Sequence, residues 1–541
     1  MIGRQATAGA GADPRLRSVR AFLRFRGRTR SAPVDRYVTA FCIAMFLAVL
    51  GKPLSDVVAG LAGTGDPART GAGAALVALG LAGFLRAARA AGPVVLPGPD
   101  ASWLLLSPLN RRHLLGRTGR ALLTVAVVAG AVLGLGMLAV LGAPDQLVWR
   151  LLGALALGIS ATVGAMALAV LAQASQSWQV WLTAAMVALL AVAVISVSGR
   201  LRTVLAIAAS APPQAVAVAV CGASVAAALL VRQAWASLDR IPARDILAAS
   251  TRAGHVASAA VGVDPGVFTW IAEDNHWRAR KLSSRRWPSL PAPLALAWQD
   301  WRRLARRPGR LAAMFATAAL PAVLAQAGGA PAALGAAVLA GGLAVASASA
   351  SGARRDNGNP ALARLIGVGH RPALAARAAL PALLSGAWTA AALAGLTLVS
   401  GLTLTGGPTL ADGPTLTGVA SAVGGAAASG MDFGVGAGAG AWWLFGPLIA
   451  PALAAGALRM ARRGPVDHSL PVIDTPGGAI PLGPVLWAAT GVDLAVLGCL
   501  PAAMALMTPP GGLGAFLAAQ AVAGVAVLAG YVWRARPGKA E

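Results

Sequence analysis

Apolar stretches long enough to cross a bilayer recur along most of the chain, separated by shorter polar segments. A helix crossing about 30 Å of hydrocarbon needs roughly 20 consecutive apolar residues. A window of about 19 residues places twelve such spans, near 37–60, 71–91, 118–141, 151–172, 178–198, 204–231, 311–328, 331–351, 373–400, 438–458, 484–507 and 511–533. The runs are continuous and do not alternate, which selects helices over a closed barrel. Lys52, Pro53 and Asp56 interrupt the first. The expected fold class is all-α, a polytopic helical membrane protein with about 12 transmembrane helices in two six-helix repeats. Residues 1–36 form a basic arm with an amphipathic helix, and 37–231 the first six-span half. Residues 232–310 are a linker ending in a second basic helix, 311–533 the second half and 534–541 a tail.

The polar positions between spans carry a second pattern. Lys52, Arg69, Arg150, Arg200 and Arg202 fall on one side, and nearly all other cations on the opposite side. Positive loops mark the cytoplasmic face, so both termini are expected there, in a bacterial plasma membrane. The first 33 residues have no apolar core, so the first span is expected to be an uncleaved anchor. Each half opens with an amphipathic basic segment. In the first, Leu16, Val19, Phe22 and Leu23 oppose Arg17, Arg20, Arg24 and Arg28. In the second, Trp298, Trp301, Leu304 and Ala305 form one face, and Arg302, Arg303, Arg306 and Arg307 cover the rest. Such helices lie in the headgroup plane.

Composition fits this picture. Hydrophobic residues make up 57% of the chain and charged residues 12%, against roughly 45–50% and 25% in soluble domains. The net charge of +26 raises nucleic acid as a partner. Its cations flank membrane spans, however, and form no basic face with stacking aromatics, so the lipid bilayer is the expected partner. Cys42, Cys221 and Cys499 lie inside apolar spans without ligand spacing, and the five histidines are scattered; no metal and no cofactor are expected. No P-loop, H-E-x-x-H or G-x-S-x-G motif occurs, so no catalytic residue is assigned and the chain is not expected to be an enzyme. Asp493 is the one acid placed mid-span, at a cost of about 2.5–3.5 kcal/mol on insertion scales, and is the intramembrane polar candidate. Pro321, Pro381, Pro447, Pro451 and Pro501 mark candidate kinks. Gly130 and Gly134 make a GxxxG pair, which permits close helix approach.

A basic motif occurs twice. Leu105-Leu106-Ser107-Pro108-Leu109-Asn110-Arg111-Arg112-His113-Leu114-Leu115-Gly116-Arg117 runs into the third span. About 260 residues later, the segment from Leu365 to Arg377 does the same, repeating Leu105, Arg111, Leu114 and Arg117 as Leu365, Arg371, Leu374 and Arg377. In the second copy Arg371-Pro372 is expected to begin a turn. The first copy resembles the cytoplasmic loop of ABC-2 type exporter permeases, where a Leu-rich stretch, Ser-Pro and paired Arg precede the third span. The segment from Leu296 to Phe315 is similar to the basic elbow helix before their first span. The chain also resembles an uncharacterised group of actinobacterial membrane proteins of about this length. The permease resemblance implies two fused six-span halves exporting a hydrophobic or amphipathic substrate, driven by a separate ABC ATPase. It assigns partner docking to Ser107, Pro108, Arg111, Arg112, His370 and Arg371, although the second copy lacks Ser-Pro. An ion-coupled secondary transporter using Asp493, and a non-transporting scaffold or immunity protein, are the alternatives.

Overall fold

A computed structural model of the chain describes residues 67–96, 101, 111–142, 146–250, 288–329, 331–359, 361, 365, 367–404, 439–464, 472–475, 478–507 and 513–535. The first half contains α1 (Pro67–Ala91), α2 (Arg111–Leu141), α3 (Leu147–Ala174), α4 (Gln176–Val197), α5 (Arg202–Ala209) and α6 (Pro213–Ser237). The second contains α7 (Ala292–Ala305), α8 (Pro308–Ala316), α9 (Leu320–Gln326), α10 (Pro331–Ser349), α11 (Ser351–Gly358), α12 (His370–Leu404) and α13 (Phe445–Ala461). It continues with α14 (Leu482–Ala489), α15 (Val492–Gly498), α16 (Leu500–Met507) and α17 (Leu513–Arg534). Among the described residues, ten helical segments are long and apolar enough to cross a membrane. They correspond to ten of the twelve expected spans. The expected 204–231 span starts later, at Pro213, behind the short α5. The 37–60 span and the helix carrying Phe22 and Arg24 lie outside the described residues.

Large apolar side chains such as Val132, Trp181, Val218 and Val522 stand exposed along these helices. A water-soluble surface rarely carries apolar patches beyond a few hundred Å². Helices that satisfy their own backbone and turn Val and Leu outward have lipid as their solvent. This is a helical membrane protein.

In the first half α3 is the most enclosed span, packed by α1, α2, α4 and α6. In the second half α13 holds the corresponding place, packed by α10, α12, α15 and α17. Small residues permit both arrangements. At the α2–α3 crossing Gly130 and Gly134 face Gly158 and Ala154, and a Cβ on Gly158 would stand 2.3 Å from the Gly130 carbonyl oxygen. Thr162 Oγ1 closes the seam by donating to the Ala126 carbonyl at 2.7 Å. The GxxxG pair is thus part of a backbone-to-backbone crossing. At the α12–α13 crossing Gly386 faces Ala450, and a Cβ on Gly446 would stand 2.5 Å from the Ala390 nitrogen. The halves touch where α9 packs on α1, with Val323 against Ala75 and Ala78.

Prolines shape the second half unequally. A 3₁₀ turn over Thr317–Ala319 separates α8 from α9 just before Pro321, whereas Pro381 and Pro451 sit inside α12 and α13. The expected 484–507 span is not one helix but three short ones. Gly491, at φ 94°, takes a backbone conformation closed to other residue types and ends α14. Pro501 lacks the N–H that would continue the ladder. In an unbroken helix the Ala502 N–H would donate to the Gly498 carbonyl. Instead the fully buried Gln520 of α17 stands between them, accepting from Ala502 N at 3.0 Å and donating to Gly498 O at 2.7 Å.

One two-stranded hairpin departs from the all-α expectation. β1 (Val472–Thr475) pairs antiparallel with β2 (Gly478–Pro481), Val472 opposite Pro481 and Thr475 opposite Gly478. It belongs to a separate compact unit from the helices α1 to α13 and α15 to α17.

Candidate functional site

Polar chemistry in the helical unit concentrates at the end bearing the basic loops. Its most buried element is an ionic cluster joining α7, α11 and α12. Arg377 Nη1 lies 2.7 Å from Asp300 Oδ1, and its Nε and Nη2 reach the two oxygens of Asp356 at 2.9 and 3.1 Å. Arg355 Nη2 approaches Asp300 at 3.7 Å, and Arg377 Nη1 also donates to the Leu296 carbonyl at 3.3 Å. The Asp300 and Arg377 side chains are only 3% and 4% exposed. Gly352 makes room for them, since a Cβ there would lie 2.4 Å from Asp300 Oδ1. Burial pushes the Asp300 carboxyl up to about 6, against the opposing pull of Arg377.

The sequence of α7 explains its limits but not its rotation. Pro293 sits in the first turn, where its missing N–H costs nothing, and Pro308 follows the last turn. Leu296, Asp300 and Leu304, four residues apart, form the buried face. Of the Trp298, Trp301, Leu304 and Ala305 face only Leu304 is buried in protein, and both indoles are exposed. Arg302 and Arg303 are half-buried. Amphipathic indoles are at home in the headgroup layer, so the ion pair can claim the inward face. Arg377 itself was overlooked as a site residue. Its signal was present: a cation one turn inside an apolar span is costly unless paired.

The second copy of the basic motif opens α12. His370 is the first helical residue, so Arg371-Pro372 begins a helix and not a turn. Proline is tolerated in that first turn. The Arg371 guanidinium lies 4.8 Å from the centroid of the Trp533 ring at the end of α17. Arg462 Nη2 stands 3.3 Å from His370 Nε2.

Asp493 is not a mid-span acid. It opens α15 beyond the Gly491 break, level with the last turn of α13, and is 45% exposed. Its Oδ2 pairs with Arg459 Nη1 at 2.7 Å, and its Oδ1 accepts the N–H groups of Gly491 and Leu494 at 2.7 and 2.8 Å. The break moves it from the expected centre of a span to a helix start at the basic end. Beside it Arg463 closes the end of α14, donating to the carbonyls of Thr490 at 2.7 Å and Ala488 at 2.9 Å. Its guanidinium also lies 5.3 Å from the Trp487 ring centroid.

In the first half Arg111 and Arg112 open α2; Ser107 and Pro108 lie outside the described residues. The segment leading toward this motif is pinned. The Gln173 carboxamide accepts from Val94 N at 3.0 Å and donates to Val94 O at 3.3 Å. Thr118 donates to the Val95 carbonyl at 2.9 Å, and Leu96 N donates to Ser250 Oγ at 3.2 Å. Leu115, two residues before Arg117, is buried with Val94, Leu96, Ile241 and Ile246. The linker after α6 thus packs against the start of α2. At the basic end arginines are positioned by carboxylates and backbone carbonyls, and no nucleophile–base pair forms there among the described residues.

No curated protein and no solved structure matches the chain. The model of the DUF6297 family, a family of unknown function, matches residues 65–436, more than half of the chain and parts of both halves, and the chain belongs to that family.

Proposed function

We propose that the chain is the membrane-spanning subunit of an ABC-type exporter, with two fused six-span halves and a separate ATPase as its motor. The observation that carries this reading is the buried Asp300–Arg377 pair, which ties the basic elbow-like helix α7 to the first turns of α12, the helix opened by the second motif copy. Force applied by a partner at the basic loops would reach a span directly through such a joint.

The twofold plan has independent support. The motif copies lie about 260 residues apart, and the same offset takes Ala126 and Gly130 to Gly386 and Ala390. Both pairs lie at the close crossing with the most enclosed helix of their half. That helix packs against four other helices in the first half and five in the second. The proposed setting is the bacterial plasma membrane with both termini cytoplasmic, and the proposed cargo is hydrophobic or amphipathic. Asp493, half-exposed and paired with Arg459, is poorly placed to couple an ion gradient.

The test is copurification from the native host of a protein bearing a P-loop, with ATP hydrolysis in the purified complex. Arg111→Glu with Arg112→Glu should lower recovery of that protein more than tenfold while leaving the chain in the membrane. Full recovery with the charge-reversed pair would refute the docking assignment. Substrate flux that continues without any ATPase would refute the exporter reading.

A further inference from the structure

The start of α12 and the end of α17 meet at an open hollow lined by Gly369, His370, Arg371, Pro372, Trp533 and Arg534. We infer that this hollow is a binding site for the phosphate of an anionic lipid headgroup. Two arginines and an imidazole line it, and no carboxylate does among the described residues. The acids Asp356 and Asp493 described above are already committed to Arg377 and Arg459. The Arg371 guanidinium lies over the Trp533 indole at 4.8 Å from its centroid, a cation–π contact that does not use up its N–H donors. With His370 Nε2 facing Arg462, the imidazole is also held in place.

The surroundings favour a lipid over a free anion. Both helices are membrane-crossing segments, and the hollow lies where they reach the basic end. Trp533 is largely exposed, as are Val522 and Val525 on α17. An indole at the headgroup level above an apolar helix surface is the arrangement that seats a headgroup with its acyl chains alongside. Basic pockets between spans on the positive side take such headgroups. The inference does not depend on an ATPase partner. It gives the second motif copy, which lacks Ser-Pro, a role different from docking.

The test is native mass spectrometry of the full chain in detergent, titrated with phosphatidylglycerol, phosphatidylcholine or inorganic phosphate. Wild-type protein should retain phosphatidylglycerol in preference to phosphatidylcholine, and millimolar inorganic phosphate should not displace it. Arg371→Gln with Arg534→Gln should weaken that preference roughly thirtyfold, on the usual contribution of a membrane-surface arginine. Its melting temperature in phosphatidylcholine should stay at the wild-type value, which separates lost binding from lost folding. The charge-matched control, Arg86→Gln with Arg120→Gln on exposed positions elsewhere at the basic end, should bind like wild type. Equal binding by the R371Q/R534Q protein, or equal loss in the control, overturns the site. Displacement by inorganic phosphate overturns the lipid as its ligand.

Discussion

Replacing Gln520 by Leu isolates what one side chain does for a broken helix. The substitution keeps a similar volume but removes both hydrogen bonds, leaving Gly498 O and Ala502 N without their partner. A buried backbone group left unsatisfied costs about 1–3 kcal/mol. Partial closure of the gap would recover some of this, so the expected loss is about 2–4 kcal/mol. That exceeds the ~0.6 kcal/mol average of an interhelical polar contact in a membrane bundle. The assay is reversible unfolding in mixed micelles, followed by tryptophan fluorescence, for wild type, Q520L, Pro501→Ala and the double variant. With Ala at 501 the helix can close and Ala502 N can meet Gly498 O directly. The Q520L penalty should then shrink to about 1 kcal/mol or less, a coupling detectable in a double-mutant cycle. Gln520→Glu adds a control, since an ionised carboxylate accepts from Ala502 but cannot donate to Gly498; its penalty should grow with pH. A Q520L protein within ~0.6 kcal/mol of wild type, or one with the same penalty in both backgrounds, would refute the reasoning.

Four further outcomes follow from the packing and the ion pairs. Gly158→Ala should destabilise the first half by at least about 1–3 kcal/mol, because its Cβ would meet the Gly130 carbonyl and not a movable side chain; thermal unfolding in detergent measures it, and a neutral result would contradict the α2–α3 crossing. Arg377→Leu should cost about 3–5 kcal/mol by stranding a buried carboxylate, and more than Asp300→Asn, which leaves Arg377 its bonds to Asp356; the reverse order in melting temperature would contradict the assignment. Because the folded Asp300 carboxyl is raised from 3.8 to about 6, the native state holds a proton that the unfolded chain releases between about pH 4 and 6. Stability from this group therefore falls as pH rises through that window, and the melting-temperature advantage of wild type over Asp300→Asn should be larger at pH 4.5 than at pH 6.5. Asp493→Asn should cost under about 1 kcal/mol, as for other half-exposed ion pairs; a large loss in the same melting assay would restore a buried role for it.

The spans were legible in the sequence because bilayer thickness fixes their length and lipid fixes their composition. Ten of them reappear within a few residues of where hydropathy puts them, apart from the later start of α6. The breaks at Gly491 and Pro501 were less legible, since hydropathy averages over a glycine with positive φ and reads three short helices as one apolar run. Asp493 changed place for that reason alone. The buried face of Leu296, Asp300 and Leu304 was not legible, because periodicity finds an apolar stripe without saying which face protein will cover.

What the sequence determined by itself was the membrane as solvent, the basic side and the doubled motif. Each follows from local length, polarity or repetition. Only the tertiary structure decided that Asp300 meets Arg377 across 77 positions, that Gln520 completes a ladder on another helix, and that Arg371 rests near Trp533. These are pairings between distant segments, whose stabilisation exists only once the chain is packed and water and lipid are excluded from the groups concerned.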